Sequence, residues 1–101
     1  MTTFIASYDL KETNPDPHST FLAESRKLGW NYWILGSNNI WYRLPNTTLV
    51  GDFSNMAAAE AALEPTRAAT EVQIGRVVTM EKWVVADYSS ARFNSDTGGA
   101  K

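Results

Sequence analysis

The sequence predicts a single α+β domain in which two helices cover one face of an antiparallel sheet. Strand-like and helix-like patterns alternate in the order strand, helix, strand, strand, helix, strand. The chain has 101 residues, which is the usual size of one domain and too short for two ordinary ones. One layer of helices on one sheet is the simplest way to bury the apolar sides of these elements.

The first strand is predicted over residues 3–10, where β-favouring residues alternate and Asp9 falls near the strand end. Asp16 and Pro17 then predict a helix start, because an Asp side chain can cap free N–H groups and proline suits the first turn. Gly29 is a natural stop for this helix.

The middle of the chain predicts a hairpin with strands at 40–44 and 47–53, joined by a tight turn at Pro45 and Asn46. The aromatic segment 31–35 is either an extra strand or an early section of the first hairpin strand. The pattern leaves both interpretations open.

A second helix is predicted over residues 56–64, which are rich in alanine and follow a plausible N-cap at Ser54 and Asn55. Pro65 should end or kink this helix, because proline lacks an N–H and clashes with the preceding turn. The pattern leaves undecided whether residues 66–70 continue as a short second helical piece.

The closing strand contains two β-rich stretches, 77–80 and 83–88. The charged pair at 81–82 predicts a bulge, a bend or a charged section of one long edge strand. Residues 94–101 offer nothing to bury and predict a flexible C-terminal tail, so the domain is expected to span 1–93. The resulting order is that of the ferredoxin-like β-α-β-β-α-β fold.

Composition narrows the function classes. Hydrophobic residues make up 44% and charged residues 20%, which is typical of a globular chain. The chain has no cysteine, so disulfides, thiolate catalysis and cysteine–metal sites are excluded. Four Trp, four Tyr and four Phe exceed what a small core needs, and some of these rings are expected on a protein–protein surface.

Location and charge give two further expectations. Neither a signal peptide nor an apolar run of roughly 20 residues is present, so we expect a cytoplasmic protein without membrane contact. The net charge of −2 argues against non-specific nucleic-acid binding, which draws on a basic surface. The residues available for a local basic patch are Lys11, Arg26, Lys27, Arg43, Arg76, Lys82 and Arg92.

Two segments resemble a known family. Residues 4–10 form an apolar strand that ends in an aromatic–Asp pair, and residues 43–51 place an Arg before a turn and a small hydroxyl residue before an apolar strand ending near Gly. In this order they are similar to the small CRISPR-associated nuclease of the spacer-integration complex, the second Cas protein. They also resemble the virulence-associated D-type toxins.

The resemblance implies a ferredoxin-like homodimer with Asp9 near the dimer axis, supporting Mg²⁺-dependent cleavage of RNA or DNA. Asp9 is thus the candidate catalytic residue and metal ligand, because a carboxylate holds a hard cation that activates water and stabilises phosphorane charge. The chain departs from the family at Val50 and Gly51, where a glutamate is often found, and lacks its basic character. The alternative is that Asp9 caps the turn after its strand.

The segment Trp41-Tyr42-Arg43 is the candidate contact with nucleic acid or a partner protein. Aromatic rings beside a basic group suit base stacking, although core packing and a dimer interface explain the same rings without a ligand. His18 can serve as a general acid or base near neutral pH, or lie as a solvated residue in a first helical turn.

Three functions therefore stay open. The first is a metal-dependent endonuclease, which the resemblance favours. The second is a non-catalytic dimeric binding or regulatory module, such as an antitoxin-like protein. The third is a mobile-element inhibitor that docks on a larger enzyme. A basic groove around paired Asp9 residues would favour the first function, and a broad aromatic patch without paired carboxylates would favour the other two.

Overall fold

The structure is a computed structural model that describes residues 1–99. Its elements, in chain order, are β1 (Thr2–Leu10), α1 (His18–Lys27), β2 (Trp30–Asn31), β3 (Trp33–Leu35), β4 (Trp41–Arg43), β5 (Thr48–Phe53), α2 (Met56–Ala61), α3 (Leu63–Ile74), β6 (Met80–Asp87) and β7 (Gly98–Gly99). The predicted α+β class with antiparallel strand pairing is confirmed.

The strands form two sheets where the sequence predicted one. The larger sheet has the order β2-β5-β1-β6, and the smaller sheet has the order β3-β4-β7. The undecided segment 31–35 divides between them, since β2 pairs with β5 and β3 pairs with β4.

The predicted hairpin between 40–44 and 47–53 is wrong. β4 pairs with β3 and β7, whereas β5 lies between β1 and β2. The tight turn that forms is the earlier one: the Gly36 N–H donates to the Ile40 carbonyl at 2.8 Å, and Asn39 adopts a left-handed φ of 63°. Asn tolerates this conformation, so the turn closes β3 onto β4 before residues 45–46 are reached.

The core lies between the larger sheet and the helices. Phe4, Ala6, Tyr8 and Leu10 alternate along β1 and are all buried, so they share the face that the helices cover. The ring of Phe21 from α1 packs on Tyr8 with a centroid distance of 4.6 Å. Burying each large apolar side chain contributes about 1.5–3 kcal/mol to folding.

The second helical segment is broken, but not where the sequence predicted. The Asn55 side chain caps α2 by accepting the Ala58 N–H at 2.8 Å, as expected. The break falls at Ala62, and Pro65 lies in the first turn of α3. The first-turn N–H groups of a helix have no intrahelical partner, so the missing N–H of proline is tolerated there.

The edge strand β6 carries a bulge where it pairs with the end of β1. Asp9 pairs with Lys82 and Leu10 pairs with Met80, which leaves Glu81 as the extra residue of a bulge at the edge of the larger sheet. A bulge was one of the three predicted alternatives.

No helix in the described part of the chain is long and apolar enough to span a membrane.

The C-terminal segment predicted as a flexible tail, 94–101, is described as far as Gly99, and its last two residues lie outside the described part. The Thr97 carbonyl accepts the Arg43 N–H at 2.9 Å, and β7 pairs with β4. Strand pairing therefore reaches past residue 93, while the flexibility of the segment stays a prediction.

Candidate functional site

Asp9 lies on the face of β1 opposite the core, because side chains alternate along the strand and both Tyr8 and Leu10 are buried. Its side chain is exposed, and its partner across the β1–β6 ladder is Lys82. No group of three or more His, Asp or Glu side chains within residues 1–99 is arranged to hold a metal ion. Asp9 as a Mg²⁺ ligand stays a prediction.

Arg43, in contrast, belongs to a compact group of side chains. Its guanidinium carbon lies 4.5 Å from the centroid of the Tyr32 ring, and that of Arg26 lies 5.5 Å from the same centroid. The Arg43 Nη1 also donates to the Tyr32 carbonyl at 3.5 Å. These three residues are termed the arginine–tyrosine cluster. Cation–π contacts of this kind contribute about 0.5–2 kcal/mol each.

Local chain geometry explains why Arg26 meets Tyr32. Arg26 lies in the last turn of α1, and Gly29 follows with a left-handed φ of 102°. Glycine adopts this conformation without steric cost, so the chain reverses at once into β2. Tyr32 comes directly after β2 and therefore lies beside the helix end that it has just left.

Two residues of the C-terminal segment form hydrogen bonds with the backbone of Arg43. The Ser95 hydroxyl donates to the Arg43 carbonyl at 2.8 Å, and the Thr97 carbonyl accepts the Arg43 N–H at 2.9 Å. The Leu44 N–H donates to the Tyr32 carbonyl at 3.0 Å, which ties the end of β4 to the ring-bearing residue. Arg43 is thus held by both its backbone and its stacked side chain.

No acidic side chain within residues 1–99 forms an ion pair with the cluster arginines. The ion pairs found in residues 1–99 join Lys27 to Glu24 and join Arg67 to Glu64 and Glu71. Arg67 donates to the Glu64 carboxylate, and this hydrogen bond raises the pKa of Arg67, whereas neither cluster arginine has a carboxylate in bonding range within residues 1–99. A chain with a net charge of −2 therefore carries a local concentration of positive charge.

Tyr42, another candidate contact residue, packs away from the cluster. The Tyr42 ring packs against Phe93 with centroids 5.7 Å apart, and its hydroxyl accepts from Asn38 Nδ2 at 2.9 Å. Trp41 is half-buried and pairs with Leu35 across the β3–β4 ladder. Because side chains alternate along β4, Tyr42 lies on the opposite face from its two neighbours.

An open cavity of about 590 Å³ adjoins the cluster at Arg43 and is termed the tyrosine pocket. Its lining residues are Tyr8, Asp16, His18, Ser19, Leu22, Arg43, Asn46 and Thr47. His18 begins α1 as expected and is half-buried on the pocket wall. Thr47 has a φ of 60°, a conformation that costs a β-branched residue energy and is often found at functional sites.

Tyr8 contributes a buried polar group to this pocket. Its side chain is 3% exposed, and none of the hydrogen bonds within residues 1–99 engages its hydroxyl. Among the described side chains, the fully enclosed polar atom without a hydrogen-bond partner is Trp30 Nε1. The unpartnered Tyr8 oxygen is therefore not fully enclosed, and because Tyr8 lines the pocket, this oxygen opens into it. Burial raises the pKa of Tyr8 to about 12, against the opposing effect of Arg43, and the phenol is a protonated donor at neutral pH.

The structure thus brings Arg43, His18 and Tyr8 together and leaves Asp9 on the other face of the sheet. Sequence reasoning did not select Tyr32, although the helix stop at Gly29 was a signal for a chain reversal that places it beside α1. No family model, curated protein or solved structure matches this chain. The contacts described above therefore carry the functional interpretation.

Proposed function

We propose that this chain is a non-catalytic binding module that recognises single-stranded RNA or DNA through the arginine–tyrosine cluster. The observation that carries the proposal is the position of two guanidinium groups over the ring of Tyr32, with no carboxylate partner for either within residues 1–99. Arginines that neutralise phosphates and rings that stack on bases are the two main interactions of single-strand binding.

A second ring supports a single strand as the ligand. The Trp33 ring lies next to Tyr32 with centroids 6.4 Å apart, and both side chains are half-buried rather than enclosed. Adjacent rings flanked by cations suit unstacked bases and their backbone. Reading a duplex instead requires an element that enters a groove, for which this compact cluster offers no projecting helix or ribbon.

The ferredoxin-like fold and the homodimer are parts of the same proposal. The order β2-β5-β1-β6 supports a ferredoxin-like arrangement, in which β3 and β4 are an insertion in the chain between β2 and β5. Trp83 and Val84 lie exposed on the edge strand β6, and apolar side chains at a sheet edge favour association. This fold serves many functions, so it does not itself choose between binding and cleavage.

The binding function is tested by fluorescence anisotropy with labelled single-stranded RNA and DNA oligonucleotides. We expect Arg43→Gln and Arg26→Gln each to weaken binding about fivefold or more, which corresponds to the loss of about 1 kcal/mol. Lys82→Gln is the matched control, because it removes the same charge from the strand at the far edge of the larger sheet. Absence of binding, or an equal loss in the control, would contradict the proposal.

The same oligonucleotides test the metal-dependent endonuclease that the family resemblance implies. We expect them to remain intact with Mg²⁺ as with chelator. Cleavage that requires Mg²⁺ and is lost in Asp9→Asn would replace the binding module by a nuclease. Asn keeps much of the hydrogen-bonding capacity of Asp at a strand end, so this variant should retain the fold.

A further inference from the structure

The first turn of α1 leaves backbone donors at the tyrosine pocket. The His18 N–H donates to Asp16 Oδ1 at 2.8 Å, and the Phe21 N–H donates to a backbone carbonyl at 2.9 Å. The N–H groups of Ser19 and Thr20 have no partner in the described part of the chain, and Ser19 lines the pocket. The N-terminus of a helix carries partial positive charge and favours an anion.

Tyr8 is an independent sign of a ligand. It comes from a different element, it is 3% exposed, and its hydroxyl opens into the pocket without a partner among residues 1–99. A buried phenol hydroxyl usually finds a hydrogen-bond acceptor. A protonated hydroxyl beside free helix N–H groups needs an acceptor rather than a donor, and an anion supplies one.

Arg43 adds a full charge to these donors. Its guanidinium is held over Tyr32 by stacking, and it lies close enough to Tyr8 to act on the phenol electrostatically. Asp16 is the carboxylate in the lining, and its Oδ1 already accepts the His18 N–H. The pocket therefore combines one cation, one phenol donor and one helix N-terminus.

From this combination we infer that the tyrosine pocket binds the terminal phosphate of a single strand, which is a phosphate monoester. The inference rests on the proposed function of the adjoining cluster, with which the pocket shares Arg43. A monoester carries about −1.5 to −2 charge at neutral pH and three acceptor oxygens, which suits several converging donors.

The shape of the site favours a strand end over an internal phosphate. An internal phosphodiester has nucleotides on both sides and needs a groove that is open at both ends. A monoester has one attachment and can enter a pocket that is lined on one side by Tyr8 of β1 and by the first turns of α1. The strand then leaves the pocket past Arg43 towards Tyr32 and Trp33, where its first bases meet the rings.

The test compares short oligothymidylates that end in a 5′-phosphate, a 3′-phosphate or hydroxyls only. We expect a phosphate at one end to tighten binding about tenfold over the hydroxyl-ended strand. Tyr8→Phe should remove most of that preference. Tyr88→Phe is the matched control, because it removes a tyrosine hydroxyl from a residue whose backbone N–H bonds to the Thr3 carbonyl, at the other end of β1.

The outcomes separate the pocket from the cluster. Equal binding of all three strands, or a full phosphate preference in Tyr8→Phe, would overturn the terminal-phosphate site and leave the binding function standing. Absence of binding to every strand overturns the proposed function. A titration with thymidine 5′-monophosphate then decides the pocket alone: binding that Tyr8→Phe weakens supports phosphate recognition, and no binding overturns it.

Discussion

The larger sheet and the smaller sheet differ in how far their side chains are buried. Along β1 and β5, Phe4, Ala6 and Leu49 are at most 2% exposed, because α1 and the α2–α3 segment cover this face. The side chains of β3 and β4 are half-buried or exposed, and β7 is exposed throughout its length. The buried core therefore belongs to the larger sheet, and under the proposed function the smaller sheet presents its side chains to the strand.

The candidate site lies where the two sheets meet. Tyr8 belongs to the larger sheet and Arg43 to the smaller one, and both line the tyrosine pocket. The Leu44 N–H donates to the Tyr32 carbonyl at 3.0 Å across the same junction. In the proposed pocket, the larger sheet therefore supplies the buried phenol and the smaller sheet supplies the arginine.

The largest expected effect is in the core of the larger sheet. Phe21 is fully buried against Tyr8, so Phe21→Ala should lower the free energy of unfolding by about 3–5 kcal/mol. Leu35→Ala is the matched change in the smaller sheet, where the side chain is 47% exposed, and should cost less than about 1 kcal/mol. Urea denaturation of both variants measures the difference, and similar losses would contradict the comparison.

Close packing between β2 and β5 gives the next effect. A Cβ at Gly51 would lie 2.6 Å from the Gly29 carbonyl oxygen and 2.8 Å from Phe53 Cε2. Gly51→Ala should therefore force the two strands apart and cost about 1–3 kcal/mol. Thermal unfolding checks this, and an unchanged melting temperature would show that the contact is looser than described.

The buried phenol of Tyr8 makes stability depend on pH in the alkaline range. Its pKa is raised from 10.0 to about 12 by burial, so above pH 10 the unfolded chain loses a proton that the folded chain keeps. This contribution is fully present below pH 10 and falls by about 1.4 kcal/mol per pH unit up to about pH 12. Tyr8→Phe should flatten the alkaline limb of the stability curve, and an equally steep limb would contradict the burial of this hydroxyl.

The smallest effect is expected at the C-terminus. Deleting residues 98–101 removes β7, which is short and exposed and pairs with the outer side of the smaller sheet. We expect the free energy of unfolding to fall by less than about 1 kcal/mol, a shift of a few degrees in melting temperature. A larger loss would show that the smaller sheet contributes to the stability of the whole domain.

Elements specified by neighbouring residues were predictable from the sequence. The Asn55 cap of α2 was predictable, because capping signals operate within a few residues. Asp16 accepts the His18 N–H at the start of α1, although Pro17 holds the N-cap position, and the bulge at Glu81 was one of three alternatives that the sequence left open. The partner of β4 was not predictable in this way. The turn around Asn39 closes β3 onto β4 through the backbone hydrogen bond between Gly36 and Ile40, whereas β5 pairs with β1 and β2 in the other sheet.

The candidate site was predictable only in part. Arg43 was identified because an Arg beside aromatic residues is visible in sequence, but its stacking partner proved to be Tyr32 rather than Tyr42. Tyr8 falls within the predicted first strand, and its side chain is buried. That its hydroxyl opens into a pocket depends on the positions of α1 and residues 46–47, which no local pattern specifies.

The salt dependence of single-strand binding tests the central claim most directly. Each arginine that neutralises a phosphate of a single strand contributes roughly 0.7 to the slope of log affinity against log salt concentration. We expect Arg43→Gln to reduce the slope by about that amount and the double variant with Arg26→Gln by about twice as much, while Lys82→Gln leaves it unchanged. A slope that is the same in the wild type and the double variant would show that the arginine–tyrosine cluster does not contact the strand.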